Sequence, residues 1–105
     1  MYAEEAMVHT RDEILNTLAG NREGIERFGV RSLALFGSAA RGEGSPASDL
    51  DFLVEFERNT FDAYMDLKEF LEKLFRQPVD LVLASELKPR LRESILRESV
   101  HAPGL

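Results

Sequence analysis

The chain has 105 residues, which is enough for one packed domain and too few for two. Its hydrophobic fraction of 44% predicts a folded core, whereas 19 acidic against 13 basic side chains give a net charge of −6, which disfavours binding to duplex nucleic acid. The absence of Cys excludes disulfides, thiolate nucleophiles and thiolate zinc sites. Since the sequence has neither a secretory leader nor an apolar run of membrane-spanning length, we expect a single cytoplasmic domain over residues 1–105 with no membrane partner.

The first predicted element is a helix from about Arg11 to Phe28. Thr10 and Glu13 have the spacing of a capping box, and Gly29 is typical of the residue that follows a helix. The apolar residues that recur on one face of this helix are Ile14, Leu18, Ile25 and Phe28.

Three short segments have the pattern of β-strands. Val30–Phe36 is an apolar run after a glycine, Asp49–Phe56 alternates, and Val79–Leu83 follows a proline. In the second strand one face carries Leu50, Phe52, Val54 and Phe56, and the other carries Asp49, Asp51, Leu53 and Glu55.

Two further helices complete the pattern. Thr60 is a candidate cap for a helix over Phe61–Phe75, and Pro89 is well placed to open a last helix that runs to about Val100. The apolar stripe of the first of these, which we expect to be core, is Phe61, Tyr64, Leu67, Leu71 and Leu74. The order α-β-α-β-α-β-α predicts an α/β fold with a small mixed sheet of three to four strands flanked by helices.

Most of the candidate functional residues lie between the first two strands, in the segment "GSAARGEGSPASDLD". Asp49 and Asp51 are spaced i and i+2, so on a strand their side chains point to the same face. Their backbone positions are about 6.6 Å apart, and the two carboxylates can converge on one cation. Oxygen ligands that lie partly in solvent suit magnesium, which keeps waters and substrate phosphates among its ligands. The pair therefore predicts a magnesium site at the start of the second strand.

A glycine-serine turn lies just upstream of the aspartates. Gly37 lets the backbone approach a phosphate closely, and the Ser38 hydroxyl with neighbouring N–H groups of a single helical turn could face that anion. Arg41 lies on the same turn. It could reach the phosphates or brace the carboxylates, or it could instead form a structural ion pair with Glu43 or Glu55.

Residues 37–51 match in full the pattern G-S-x-A-R-G-x5-S-D-x-D of the minimal nucleotidyltransferase (MNT) domains, small prokaryotic members of the DNA polymerase beta-like superfamily. The segment from Leu71 to Ser99 resembles the second half of that family, in which the Asp of a V-D-L-V strand is the third metal carboxylate. The resemblance implies that Asp49, Asp51 and Asp80 are catalytic and hold two magnesium ions, with manganese as an alternative. The residues that it assigns to nucleotide binding are Gly37, Ser38, Arg41 and Ser48.

Asp80 also stands in an apolar strand, where an unpaired carboxylate would be costly, and we take this position to favour a ligand role over a buried salt bridge.

By resemblance the substrate is ATP or another nucleoside triphosphate. The same resemblance implies that the partner is a HEPN-domain toxin, which the domain would adenylylate on a hydroxyl, so we expect a hetero-oligomer in which this chain is the antitoxin.

Two other functions fit the same residues. One is a non-enzymatic, nucleotide-binding antitoxin that neutralises its partner by occlusion, although three converging acids have no evident use in a pure binder. The other is the catalytic subunit of a small-molecule nucleotidyltransferase, which would need an accessory helical domain from another chain.

Overall fold

The computed structural model describes residues 10–44 and 49–105 of the chain. None of the helices in these two ranges is long and apolar enough to cross a membrane. In chain order the elements are α1 (Arg11–Gly20), α2 (Arg22–Glu26), β1 (Val30–Phe36), α3 (Gly37–Ala40), β2 (Leu50–Phe56), α4 (Phe61–Phe75), β3 (Val79–Leu83), a 3₁₀ turn (Ala84–Glu86), α5 (Pro89–Glu98) and β4 (Val100–His101).

The four strands found in the described residues form one mixed sheet in the order β3-β2-β1-β4. β1 pairs antiparallel with both β2 and β4, whereas β2 and β3 are parallel and are joined through α4. This arrangement confirms the predicted α/β class with helices flanking a small mixed sheet. In the register, Asp51 lies opposite Phe36 of β1 on one side and opposite Asp80 of β3 on the other.

The N-terminal helix is capped as predicted but is shorter than predicted. Thr10 accepts a hydrogen bond from the Glu13 N–H at 3.1 Å, and the Glu13 carboxylate accepts one from the Thr10 N–H at 3.0 Å, which completes the capping box. The continuous helix to Phe28 was wrong, because the chain leaves helical geometry at Asn21 (φ −117°, ψ 19°) before α2 begins. Glycine followed by asparagine weakens a helix at this point, since both residues favour non-helical backbone.

The main core lies on the sheet face that α1 and α4 cover. Phe52 of β2 is fully buried and stacks on Phe75 of α4, with ring centroids 6.0 Å apart. As predicted, the apolar face of β2 supplies four buried residues, namely Leu50, Phe52, Val54 and Phe56. The opposite face has a smaller cluster centred on Ala34, Leu53 and Ala84.

The apolar stripe predicted to be core in α4 is confirmed for the middle of the helix and is wrong for its first residue. Leu67 and Leu71 are buried, and Tyr64 is half-buried with its hydroxyl donating to the Leu81 carbonyl at 2.6 Å. Phe61, however, is 77% exposed. It is the first residue of the helix, directly after the Thr60 cap, and so precedes the turns that pack on the sheet.

The last helix ends two residues earlier than predicted. The chain turns extended at Ser99 (φ −72°, ψ 149°), and Val100 then pairs with Leu35 of β1 as part of the fourth strand. α5 has no fully buried residue. Its last residue, Glu98, is thereby carried to the end of β1 where α3 begins.

Candidate active site

The site begins at the turn between β1 and α3. Gly37 has a φ of +78°, a left-handed conformation that favours glycine over any residue with a β-carbon. A β-carbon at this position would overlap Oδ2 of Asp51 and would lie 3.0 Å from its Cγ. Gly37 is therefore required twice, once by the backbone turn and once by the close approach of the turn to the Asp51 carboxylate.

The three aspartates flank this turn at the start of β2 and β3. Asp49 is exposed directly before β2, Asp51 is half-buried within it, and Asp80 is the register partner of Asp51 in β3. Burial raises the pKa of the Asp51 carboxyl above its ordinary value, and the negative charges of Asp80 and Asp49 raise it further. Asp51 thus lies close enough to Asp80 and Asp49 to be affected by their charges, and convergence of the acids on one cation stays a prediction.

The donor set suits a hard divalent cation. All three side chains offer carboxylate oxygens, and two of the three are exposed, so waters and substrate oxygens can complete a magnesium shell. Within residues 10–44 and 49–105, no three acidic or histidine side chains already enclose a point at metal-ligand distance. A bound cation would lower the pKa of Asp51, which burial and then the charges of Asp80 and Asp49 raise.

The exposure of Asp80 corrects one argument made from the sequence. The side chain was expected inside an apolar strand, but β3 is an edge strand and Asp80 points to solvent. An exposed carboxylate carries little desolvation cost, so its position in the strand is no longer an argument for a ligand role. The case for Asp80 now rests on its register with Asp51.

Arg41 is held by two carboxylates. Its Nε donates to Oε1 of Glu43 at 3.2 Å, and its Nη1 donates to Oε1 of Glu98 at 3.1 Å. These two hydrogen bonds, that to Glu43 first, raise the pKa of the Arg41 guanidinium. Of the two ion-pair partners considered from the sequence, Glu43 is confirmed, and the second partner in the described structure is Glu98 rather than Glu55.

A sequence model described as "Nucleotidyltransferase domain" matches residues 21–101, which include the glycine turn and all three aspartates. The chain belongs to the nucleotidyltransferase domain family. Its membership makes it an enzyme of the nucleotidyltransferase class, and it confirms the resemblance drawn from residues 37–51.

Two curated relatives align with most of this nucleotidyltransferase domain. The protein adenylyltransferase MntA of Thermococcus cleftensis is 42% identical over 94 residues, covering 88% of this chain and 95% of the relative. A candidate protein adenylyltransferase of Methanocaldococcus jannaschii is 39% identical over 80 residues, covering 72% of this chain and 80% of the relative. This chain therefore spans most of the length of both proteins.

Solved structures share the fold of this nucleotidyltransferase domain. A candidate minimal nucleotidyltransferase is 44% identical, with a TM-score of 0.69 over 82% of this chain and 93% of that chain. A toxin-antitoxin structure with AMP-PNP has a TM-score of 0.66 at 21% identity, covering 83% of this chain and 73% of that chain. The complex of a tri-AMPylated Shewanella oneidensis HEPN toxin with an MNT antitoxin has a TM-score of 0.60 at 18% identity, covering 87% and 73%. The last two likenesses concern the fold alone.

Among the described residues, Glu98 contacts the site although sequence reasoning did not assign it there. Its Oε2 accepts a hydrogen bond from the Gly37 N–H at 3.0 Å, while Oε1 accepts from Arg41. The contacts span 61 and 57 residues of sequence, so no local pattern indicates them. A weak signal is present, because a glutamate in the last turn of a helix is disfavoured by the helix dipole and suggests a partner elsewhere.

The other residues assigned to nucleotide binding have separate outcomes. Ser38 is half-buried as the second residue of α3, next to Gly37 in the predicted helical turn. Ser48 lies outside the described residues. Its assignment remains a prediction.

A second carboxylate fixes the strand that carries Asp80. Glu72 of α4 accepts a hydrogen bond from the Val79 N–H at 3.0 Å and one from Lys68 Nζ at 2.9 Å. The bond to Val79, followed by that to Lys68, lowers the pKa of Glu72. Because Val79 is the first residue of β3, this contact sets where the strand begins and hence where Asp80 lies.

Proposed function

We propose that this nucleotidyltransferase transfers AMP from ATP to a hydroxyl group of a partner protein, in a magnesium-dependent reaction. The observation that carries the proposal is the packing of the Gly37 turn against Asp51, with Asp49 and Asp80 beside it. A turn that can bind phosphate and a cluster of carboxylates thus lie next to each other. The 42% identity with a protein adenylyltransferase over 88% of the chain supports a protein as the acceptor.

We further propose that the partner is a HEPN-domain toxin and that this chain acts as its cytoplasmic antitoxin. The support comes from the MNT antitoxin that shares the fold and was solved with an AMPylated HEPN toxin. The active-site edge is exposed at Asp49 and Asp80, so an acceptor carried by a second protein could reach it.

In the reaction the acceptor oxygen attacks the α-phosphorus, the bond between that phosphorus and the bridging oxygen breaks, and pyrophosphate leaves with the electron pair. Asp49, Asp51 and Asp80 would hold two magnesium ions, which supply charge neutralisation and lower the pKa of the acceptor hydroxyl. The acceptor proton passes to solvent at the exposed edge. No side chain of this protein needs to act as a nucleophile.

The remaining residues position the nucleotide. Gly37 leaves room for the phosphates beside Asp51, since any β-carbon there would fill the space. The Gly37 N–H, the Ser38 hydroxyl and the Arg41 guanidinium are donors that can bind phosphate oxygens. These contacts hold the α-phosphorus in line with the acceptor, which is how phosphoryl-transfer enzymes gain most of their rate.

The test is transfer of label from α-labelled ATP to a HEPN-domain protein offered as the partner, with magnesium present. Wild-type protein should label the partner, and Asp49→Asn should reduce labelling by about a hundredfold or more. Asp66→Asn, an exposed aspartate on α4, is the matched control and should label normally. Absence of labelling by the wild type under varied nucleotides and metals would contradict the proposal.

The same variants separate enzymatic from occlusive neutralisation. If Asp49→Asn still neutralises the toxin fully while forming a normal complex, neutralisation occurs by occlusion and the adenylylation proposal fails. If neutralisation is lost together with labelling while the complex persists, catalysis is the cause.

A further inference from the structure

The Glu98 carboxylate occupies two of the three donors that the proposed function assigns to the nucleotide phosphates, namely the Gly37 N–H and the Arg41 guanidinium. Oε2 accepts from the Gly37 N–H at 3.0 Å, and Oε1 accepts from Arg41 Nη1 at 3.1 Å. A carboxylate and a phosphate are both anions that bind such donors through charge-assisted hydrogen bonds. The side chain of α5 thus takes the position expected of a phosphate oxygen pair.

We propose that Glu98 is a tethered competing anion, which the triphosphate must displace before the nucleotide can bind productively. The inference rests on the proposed function, because it takes the Gly37 N–H and Arg41 as donors to the triphosphate. It adds a residue that sets nucleotide affinity, and it links occupancy of the site to the end of α5.

Displacement is sterically easy. The side chain of Glu98 is 29% exposed, and it belongs to the last residue of a helix that has no fully buried residue. Rotation of this one side chain toward solvent requires no unpacking of the core. Arg41 keeps its contact with Glu43 at 3.2 Å in the meantime, so the guanidinium remains at the site when Glu98 leaves.

Displacement also relieves an unfavourable arrangement. Glu98 adds a further negative charge to those of Asp80 and Asp49 near Asp51. When the carboxylate moves into solvent, one acid leaves a cluster that must also accept the negative triphosphate. A structural brace would instead keep Glu98 in place while the nucleotide binds.

The decisive experiment is calorimetric titration of the full chain with magnesium and AMP-PNP, a non-hydrolysable ATP analogue. Glu98→Gln should bind AMP-PNP about five- to tenfold more tightly, because a neutral amide competes more weakly than a carboxylate for charged donors. The matched control is Glu93→Gln, which loses the same charge on α5 but contacts Arg97 instead, at 3.3 Å. Its affinity should equal that of the wild type. Unchanged or weaker binding by Glu98→Gln would overturn the proposal.

A second measurement needs no variant. Addition of inorganic tripolyphosphate to carbon-labelled wild-type protein should move the NMR signal of the Glu98 carboxyl carbon toward the position typical of a solvated glutamate. The Glu93 signal should stay in place. A Glu98 signal that stays put while the Gly37 amide signal reports saturation would show that the carboxylate remains bound, and would overturn the proposal.

The labelling assay separates this inference from the proposed function. If Glu98→Gln fails to bind nucleotide more tightly while Asp49→Asn abolishes labelling of the partner, the competing-anion inference is wrong and the enzymatic function stands. If nucleotide binding tightens but no partner is labelled, the inference holds and the assigned acceptor is wrong.

Discussion

The two faces of the sheet differ sharply where β2 and β3 begin. On one face Asp51 lies opposite Asp80, and on the other, a single residue further along, Phe52 lies opposite Leu81. The apolar residue pair is buried, with Phe52 fully buried and Leu81 3% exposed. In the acidic pair, burial and then the charge of Asp80 raise the pKa of Asp51. The same backbone register therefore stabilises the fold through one face and concentrates negative charge for chemistry on the other.

The largest effect on stability should come from the apolar face. Phe52→Ala should lower the free energy of unfolding by about 3–5 kcal/mol, because it removes a buried ring stacked on Phe75 and leaves a cavity. Phe61→Ala is the matched control, and since Phe61 is 77% exposed its effect should stay within about 0.5 kcal/mol. Chemical denaturation of both variants checks the prediction. Equal losses would show that the core is not centred on Phe52.

The next largest effect should come from the turn that packs against the acidic face. Gly37→Ala forces a β-carbon onto the Asp51 carboxylate in addition to the strain of its positive φ. Gly29→Ala has the same backbone strain (φ +81°) with no atom near the new β-carbon, and should cost about 1–2 kcal/mol with transfer activity retained. Gly37→Ala should cost more and abolish transfer. Retained transfer in Gly37→Ala would contradict the close approach of the turn to the site.

A smaller effect of opposite sign should follow when the acidic face is neutralised. Because the folded protein raises the pKa of Asp51, the folded state binds the proton more tightly than the unfolded chain does. The stability linked to this proton is fully present below the ordinary aspartate pKa and is lost as the pH rises through the raised value. Metal-free Asp51→Asn should therefore be more stable than wild type at pH 7, and the difference should shrink as the pH falls through the raised pKa of Asp51 toward the ordinary aspartate pKa. A difference that grew on acidification would refute the raised pKa.

The smallest effect concerns a carboxylate with the reverse pH dependence. The pKa of Glu72 is lowered, chiefly by the Val79 N–H, so its contribution to stability is present above the ordinary glutamate pKa and is lost as the pH falls through the lowered value. Glu72→Gln should cost about 0.5–1 kcal/mol at pH 7 after allowance for solvent screening. Glu69→Gln on the same helix pairs only weakly with Lys73, at 3.8 Å, and should change stability by less. Denaturation at pH 7 and pH 3 measures both; a Glu72 effect that persisted unchanged at pH 3 would argue against the bond to Val79.

Local sequence patterns correctly predicted the features that depend on residues close together in the chain. The capping box at Thr10, the cap at Thr60 and the alternation of β2 each involve residues within a few positions, and all three are present in the structure. The glycine turn and the Asp49–Asp51 spacing are equally local, so the centre of the proposed site is predicted from one segment of the chain.

The errors arise where tertiary position overrides the local pattern. Phe61 continues the apolar stripe of α4 but lies before the turns that reach the sheet, and Asp80 lies in an apolar strand that turns out to be at the edge. The break at Asn21 depends on Gly20 and Asn21, which interrupt an otherwise regular helical spacing of apolar residues. Glu98 reaches the site only because β4 returns the chain to β1, and a two-residue strand leaves almost no trace in sequence.

The most direct test of the account is the thermal stability of the protein with magnesium and AMP-PNP. A ligand that binds only the native state at a hundredfold excess over its Kd adds about 2.7 kcal/mol to the free energy of unfolding. Wild-type protein should show a larger rise in Tm with both ligands together than the sum of the rises with each alone, since triphosphate oxygens complete the metal shell. Asp49→Asn combined with Asp51→Asn should lose this synergy. If the double variant keeps the full rise in Tm, the two aspartates are not the metal ligands and the active site proposed at the Gly37 turn is wrong.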